Sequence, residues 1–216
     1  MAKLRTAYFC QNCGSQYSQW MGQCKNCGEW NTLVEEIVEK TPQKSLSPSK
    51  TKQSVINIIE VEAIEEPRIK TPSDELNRVL GGGIVLGSVT LIGGEPGIGK
   101  STLLLQLALK MKKKVFYVSG EESASQIKMR ADRLADIKNP NCFLYTETSL
   151  EKILHEAKKL EPDFVIIDSI QTLQSQLIES SPGTVSQIRE CSNEIIKYAK
   201  EYNVPVFLVG HITKDG

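Results

Sequence analysis

The sequence predicts an α/β fold with a mostly parallel sheet covered on both faces, preceded by a small four-cysteine module. Three observations predict it. From residue 88 to residue 210, short apolar runs alternate with segments whose apolar residues recur at helical spacing. A glycine-rich stretch, Gly94-Glu95-Pro96-Gly97-Ile98-Gly99-Lys100-Ser101, joins one such run to one such segment. Two Cys-x-x-Cys pairs, Cys10/Cys13 and Cys24/Cys27, stand near the start.

Composition sets the outer bounds. The chain has 216 residues, 40% hydrophobic and 24% charged, enough for one good core plus a small module. Lys and Arg balance Asp and Glu at 26 each, with a slightly basic start and a slightly acidic remainder. No global charge announces nucleic acid or a membrane surface, so any basic surface is local. No apolar run approaches the length of a membrane span, and no membrane partner is expected. Met1 to Arg5 leads almost directly into Cys10, leaving no room for a signal or transit peptide. The expected localisation is cytoplasmic. Cys142 and Cys191 stand alone in apolar-periodic segments and read as small buried hydrophobes.

Residues 1–34 read as a zinc-binding module. Two thiolates three positions apart reach one metal, and Gly14 and Gly28 permit the tight turn after each pair. Four sulfurs, from Cys10, Cys13, Cys24 and Cys27, close a tetrahedral Zn²⁺ shell with no open position, which makes the metal structural. So small a module cannot bury a core, and metal binding drives its folding. Two redox pairs are the alternative, and paired knuckles fit zinc better. Trp20 and Trp30 bracket the second knuckle. They read first as packing, with base stacking the alternative. Residues 35–54 read as a flexible basic linker whose stretch from Lys40 to Ser54 holds four Lys and no acid.

Residues 55–216 read as the main domain. Val55 to Ile64 looks strand-like. Thr71 to Leu80 reads as a short helix with a Pro/Ser start, stopped by Gly81-Gly82-Gly83. Ser88–Ile92 is a strand, Leu103–Leu109 a helix and Lys114–Ser119 a strand. Ser123–Ala135 is a helix, Asn141–Tyr145 a strand, Ser149–Leu160 a helix and Asp163–Asp168 a strand. Residues 174–186 form a polar loop, Thr184–Tyr202 a long helix and Val204–Gly210 a strand. No internal repeat interrupts this order.

The chemistry begins at the glycine-rich stretch, which fits G-x-x-x-x-G-K-[ST] between a strand and a helix. Its glycines turn the backbone so that N–H groups cradle an anion, and the helix start adds unpaired N–H groups and a positive dipole end. The expected ATP-binding residues are Gly94, Glu95, Pro96, Gly97, Ile98, Gly99, Lys100, Ser101 and Thr102. Lys100 would lie against the β- and γ-phosphates, and the Ser101 hydroxyl would hold Mg²⁺. Phe164-Val165-Ile166-Ile167-Asp168 is a buried strand ending in an acid, which places Asp168 in the Mg²⁺ shell. Glu121 and Glu122 follow at the end of the strand Lys114–Ser119. A carboxylate there could deprotonate the attacking water, with Glu121 preferred, although both acids also suit a helix N-terminus. His211, at the end of the last strand, reads equally as a γ-phosphate contact or as a satisfied polar residue. His155 reads as a surface residue.

These residues together resemble the bacterial RadA (Sms) family of DNA repair proteins. The resemblance is carried by the two knuckles with Gly28-Glu29-Trp30-Asn31-Thr32-Leu33, by Arg78-Val79-Leu80-Gly81-Gly82-Gly83, by the phosphate loop, by Tyr117-Val118-Ser119-Gly120-Glu121-Glu122-Ser123 and by Asp168-Ser169-Ile170-Gln171-Thr172. It implies a RecA-like P-loop ATPase core behind a zinc module. It implies a DNA-stimulated ATPase acting in homologous recombination and repair, working as a homo-oligomeric ring, a hexamer, on single-stranded or branched DNA, with a recombinase as a further partner. Glu121 matches the catalytic glutamate of such cores, with Lys100 beside it, and His211 matches the residue that senses the γ-phosphate. Residues 174–186 and the segment opening at Ile212 match DNA-facing loops. A different class is also open: an ATP-switched DNA-binding or loading factor without motor activity. The family's Lys-x-x-x-Phe-Gly-type signature and its Lon-protease-like domain do not occur within these 216 residues, so an N-terminal fragment with a C-terminally incomplete ATPase domain is expected.

Overall fold

A computed structural model describes residues 4–39, 57–60, 67–134 and 139–211. The first unit is a three-stranded antiparallel sheet. β1 (Leu4–Cys10) pairs with the short β2 (Gln16–Tyr17) on one side and with β3 (Leu33–Glu39) on the other. The seven-residue register from Leu4↔Glu39 to Cys10↔Leu33 ends at a metal ligand, so the strands aim the first knuckle. Its interior is Cys10, Cys24 and Leu33, with Tyr8, Tyr17, Cys13 and Cys27 against them.

Two expectations change here. The linker was expected from residue 35, but β3 runs on to Glu39. The run Leu33-Val34-Glu35-Glu36-Ile37-Val38-Glu39 mixes β-branched residues with acids, and all seven pair in register along β1. The Lys-rich stretch 40–54 lies outside the described residues. The tryptophans were expected to pack. Instead Trp20 is 56% exposed and Trp30 67% exposed, because four sulfurs and one leucine already fill the interior.

Of the stretch from Val55 to Ile64, residues 57–60 are described, and they form a 3-10 turn, Ile58–Glu60, in place of the expected strand. The Asn57 side chain accepts from the Ile59 N–H at 3.1 Å, and this local bond competes with a strand ladder. β4 (Arg68–Ile69) pairs with β5 (Ile84–Val85). Between them lies α1 (Asp74–Val79), capped by the Ser73 hydroxyl.

The main sheet follows as β6 (Val89–Gly94), β7 (Val115–Ser119), β8 (Cys142–Thr146), β9 (Phe164–Asp168) and β10 (Val206–His211), in the spatial order β6-β10-β9-β7-β8. Every pairing is parallel. The helices α2 (Lys100–Lys110), α3 (Ala124–Leu134), α4 (Leu150–Leu160) and α5 (Val185–Tyr202) connect them. Strand alternation divides the core into two layers. Phe116, Val118, Val165, Ile167, Val206 and Leu208 face α4 and α5. Val115, Tyr117, Phe164, Ile166, Phe207 and Val209 face α2 and α3. The α/β fold expected from the sequence is therefore the observed one. Within the described residues no helix is long and apolar enough to cross a membrane.

Register decides where the chemistry gathers. His211 pairs with Gly94, and Ser119 pairs with Asp168. The carboxyl ends of β6, β10, β9 and β7 thus meet along one edge of the sheet, where parallel α/β folds place ligands.

Candidate active site and metal centre

The loop between β6 and α2 is the centre of that edge. Gly97 and Gly99 have φ of 80° and 101°, left-handed values that a side chain would resist. Residues Glu95 to Gly99 are exposed, so the loop lies open to a ligand. Lys100 opens α2 and is only 7% exposed. Its Nζ donates to the Gly94 carbonyl at 2.7 Å and to the Glu95 carbonyl at 2.8 Å, and stands 3.4 Å from His211 Nδ1. A buried ammonium held by carbonyls at the mouth of a helix start is a strong anion site. Ser101 and Thr102 follow on the first turn, partly buried.

Asp168 is 6% exposed at the end of β9. The Tyr117 hydroxyl donates to its Oδ2 at 2.8 Å, fixing the carboxylate from the neighbouring strand. Burial and the Asp168 charge push the Tyr117 phenol well above its ordinary range, so it stays a donor. The two glutamates separate by their partners. Glu122 pairs with Arg130 at 2.7 Å. Glu121 instead accepts from the fully buried Ser169 hydroxyl at 2.6 Å and lies 3.2 Å from His211 Nε2. Gly120 stands before it with its N–H on the Asp168 carbonyl at 2.9 Å. A side chain at Gly120 would collide with Thr172, whose Cβ lies 2.7 Å from the position a Cβ would take.

The structure thus brings together Lys100, Asp168, Glu121 and His211, all four expected from the sequence. It adds Tyr117, Ser169 and Gln171, which sequence reasoning missed. Gln171 Nε2 donates to the His211 carbonyl at 3.1 Å, and its Oε1 is buried with no protein partner among the described residues. The loop after β9 is held by Gln187 of α5, which accepts from the Ser175 N–H at 2.9 Å and donates to the Ile178 and Ser180 carbonyls. Glu151 accepts from the Ser175 hydroxyl and the Gln176 N–H. Residues 174–184 are therefore a shaped loop. The segment opening at Ile212 lies outside the described residues.

At the other end, Cys10 Sγ is 3.6 Å from Cys27 Sγ, Cys13 Sγ is 3.5 Å from Cys24 Sγ, and all four sulfurs lie within 4.8 Å of one another. A tetrahedral S₄ zinc site requires edges of about 3.8 Å, so the donor set fits that ion. The N–H of Gly14 returns to the Cys10 carbonyl and that of Gly28 to the Cys24 carbonyl, closing both knuckles. Thr32, Ser15 and Tyr17 place hydroxyls beside Cys10, Cys13 and Cys24. The Ser15 hydroxyl holds the Cys13 thiol well below its ordinary value, at about 5. Cys142 and Cys191 lie elsewhere, pushed up by burial to about 11 and about 12.

Comparison with known proteins agrees with this geometry. A family model described as an AAA domain matches residues 57–216, the whole of the sheet and its phosphate loop. The chain belongs to the AAA domain family. A second model, a rubredoxin metal binding domain, matches residues 8–35 in front of the AAA domain, around the four cysteines. The full chain is 49% identical to the DNA repair protein RadA of Bacillus subtilis (strain 168) and 50% identical to that of Aquifex aeolicus (strain VF5). It is 45% identical to that of Listeria monocytogenes. Each match covers 100% of this chain and 48% of the relative, so this AAA chain spans about half the length of the curated relatives it matches.

Proposed function

We propose that the chain carries the hydrolytic site of a DNA-dependent ATPase that acts in homologous recombination and repair and processes or branch-migrates recombination intermediates. The observation that carries this reading is the meeting of Lys100, Asp168, Glu121 and His211 at one edge of the sheet. Lys100 leaves the Gly94 and Glu95 carbonyls to hold the β- and γ-phosphates. The backbone from Gly94 to Gly99 cradles them, with Ile98 and Thr102 at the rim. Ser101 and Asp168 would hold Mg²⁺, which would screen phosphate charge there. Glu121 takes the proton of the attacking water, while Ser169 and His211 hold its carboxylate in place. His211 touches both Glu121 and Lys100, which suits a group that registers the γ-phosphate.

DNA enters through the names of the relatives, each a DNA repair protein, and through the resemblance that matches residues 174–186 to a DNA-facing loop. A homo-oligomeric ring, a hexamer, with a recombinase as a further partner completes the reading. The test is ATP turnover by the full-length protein with and without single-stranded or branched DNA, followed by strand displacement. We expect DNA to raise turnover and ATP to drive displacement. An unchanged rate across a salt series rejects the DNA-dependent reading. Loading without displacement at saturating ATP favours an ATP-switched loading factor.

A further inference from the structure

The two exposed tryptophans of the metal module form a feature that the ATPase reading leaves unused. A methyl group placed on Gly22 would stand 3.6 Å from Trp30 Cζ3 and 3.9 Å from Trp20 Cη2. Both indole edges therefore border the space over one glycine, within 4 Å of a single point. The floor of this slot is fixed. The Asn31 N–H donates to the Gly22 carbonyl at 2.7 Å, Gln23 bridges Trp30, and the Gln23 amide donates to the Gly28 carbonyl at 2.8 Å. Cys24, a metal ligand, follows two residues on. The two residues that flank the tryptophans in sequence, Gln19 and Asn31, carry exposed amide side chains. Between Tyr17 and Thr32 the charged residues are Lys25 and Glu29, which cancel.

We propose that this slot is a stacking site for an unpaired nucleobase of single-stranded DNA. Two exposed indoles whose edges meet over one glycine offer aromatic surface to a flat base. The exposed amides of Gln19 and Asn31 each offer a donor and an acceptor, which the edge of a base requires and an aliphatic peptide side chain does not. A site reading phosphate would carry a cationic surplus, and this rim carries none. The contact is therefore one of stacking and nearly independent of salt. DNA as the occupant rests on the DNA-dependent reading above, and the experiment separates the two.

Trp20 and Trp30 are the only tryptophans of the chain, so intrinsic emission reports on the slot alone. The metal-loaded 216-residue chain is titrated with a single-stranded oligothymidylate, and emission is followed. In parallel, the anisotropy of a dye-labelled copy of the oligonucleotide measures binding. We expect saturable quenching of the same depth at low and moderate salt, and none from a duplex of equal length. Gly22→Leu fills the slot and Trp30→Ala removes one wall. Each weakens oligonucleotide binding about tenfold, the scale of one lost stacking contact, with metal content per chain unchanged. Gly22 has no left-handed φ, so its backbone accepts a side chain. Binding by anisotropy with unaltered emission overturns the slot, while leaving the DNA-dependent reading intact. Quenching that survives Gly22→Leu also overturns it. No oligonucleotide binding at all rejects DNA as the occupant and counts against the DNA-dependent reading as well.

Discussion

Glu121 and Glu122 are adjacent in sequence and opposite in circumstance. Arg130 neutralises Glu122 at 2.7 Å, whereas Glu121 faces the phosphate loop through His211 and rests on the Ser169 hydroxyl. A general base needs position before it needs basicity, and the geometry supports Glu121 for that role. Gly120 sets its position. A methyl group there collides with Thr172, and Thr172 is tied by its own hydroxyl to the Ser169 carbonyl at 2.8 Å. Gly120→Ala therefore displaces Glu121 and Ser169 together. We expect ATP turnover to fall by ~10²-fold or more while nucleotide affinity changes little, because small misplacements of a reacting group carry such costs. Steady-state turnover alongside equilibrium binding of a fluorescent ATP analogue measures the two separately. Unchanged turnover would contradict the assigned geometry. Much of this site was legible in the sequence: Lys100 opens α2, Asp168 closes β9, and Glu121 follows two residues after β7, each within a short pattern. Tyr117, Ser169 and Gln171 were not legible, since each acts across strands. The Tyr117 hydroxyl meets Asp168 from 51 residues away, a contact that only the register of β7 and β9 creates.

At the scale of elements, the sheet and its helices followed from periodicity, because strands buried on both faces leave continuous apolar runs. The elements that did not follow are those where local chemistry overrides the pattern. Asn57 turns an apolar stretch into a 3-10 turn. The metal module inverts the usual use of tryptophan, since its interior is sulfur. For the same reason the module depends on its ion. Cys13→Ser removes one of four donors, and we expect the chain to lose its zinc and the sheet of β1, β2 and β3 to open. Elemental analysis with amide exchange of residues 4–39 tests this. A folded sheet in the metal-free variant would contradict it, and retained AAA-domain exchange protection would locate the damage in the module. Gln187 is the corresponding device in the loop after β9. One buried amide bonds four backbone groups, the Ser175 N–H and the Ser175, Ile178 and Ser180 carbonyls, and gives shape to a stretch whose sequence reads only as polar.

At the scale of the whole molecule, a metal-binding domain precedes an AAA domain in one chain that spans about half the length of its curated relatives. The four groups at the edge of the sheet come from β6–α2, β7, β9 and β10, so the fold itself, through strand order, assembles the site. Hydrolysis at that edge is the central claim, and paired substitutions test it most directly. ATP binding and ATP turnover are measured for the full-length protein, for Lys100→Ala and for Glu121→Gln. The account predicts that Lys100→Ala loses both binding and turnover. It predicts that Glu121→Gln keeps ATP affinity within a few-fold and loses turnover by ~10²–10⁴-fold, the usual contribution of a general base. Parent-like turnover in either variant would contradict it.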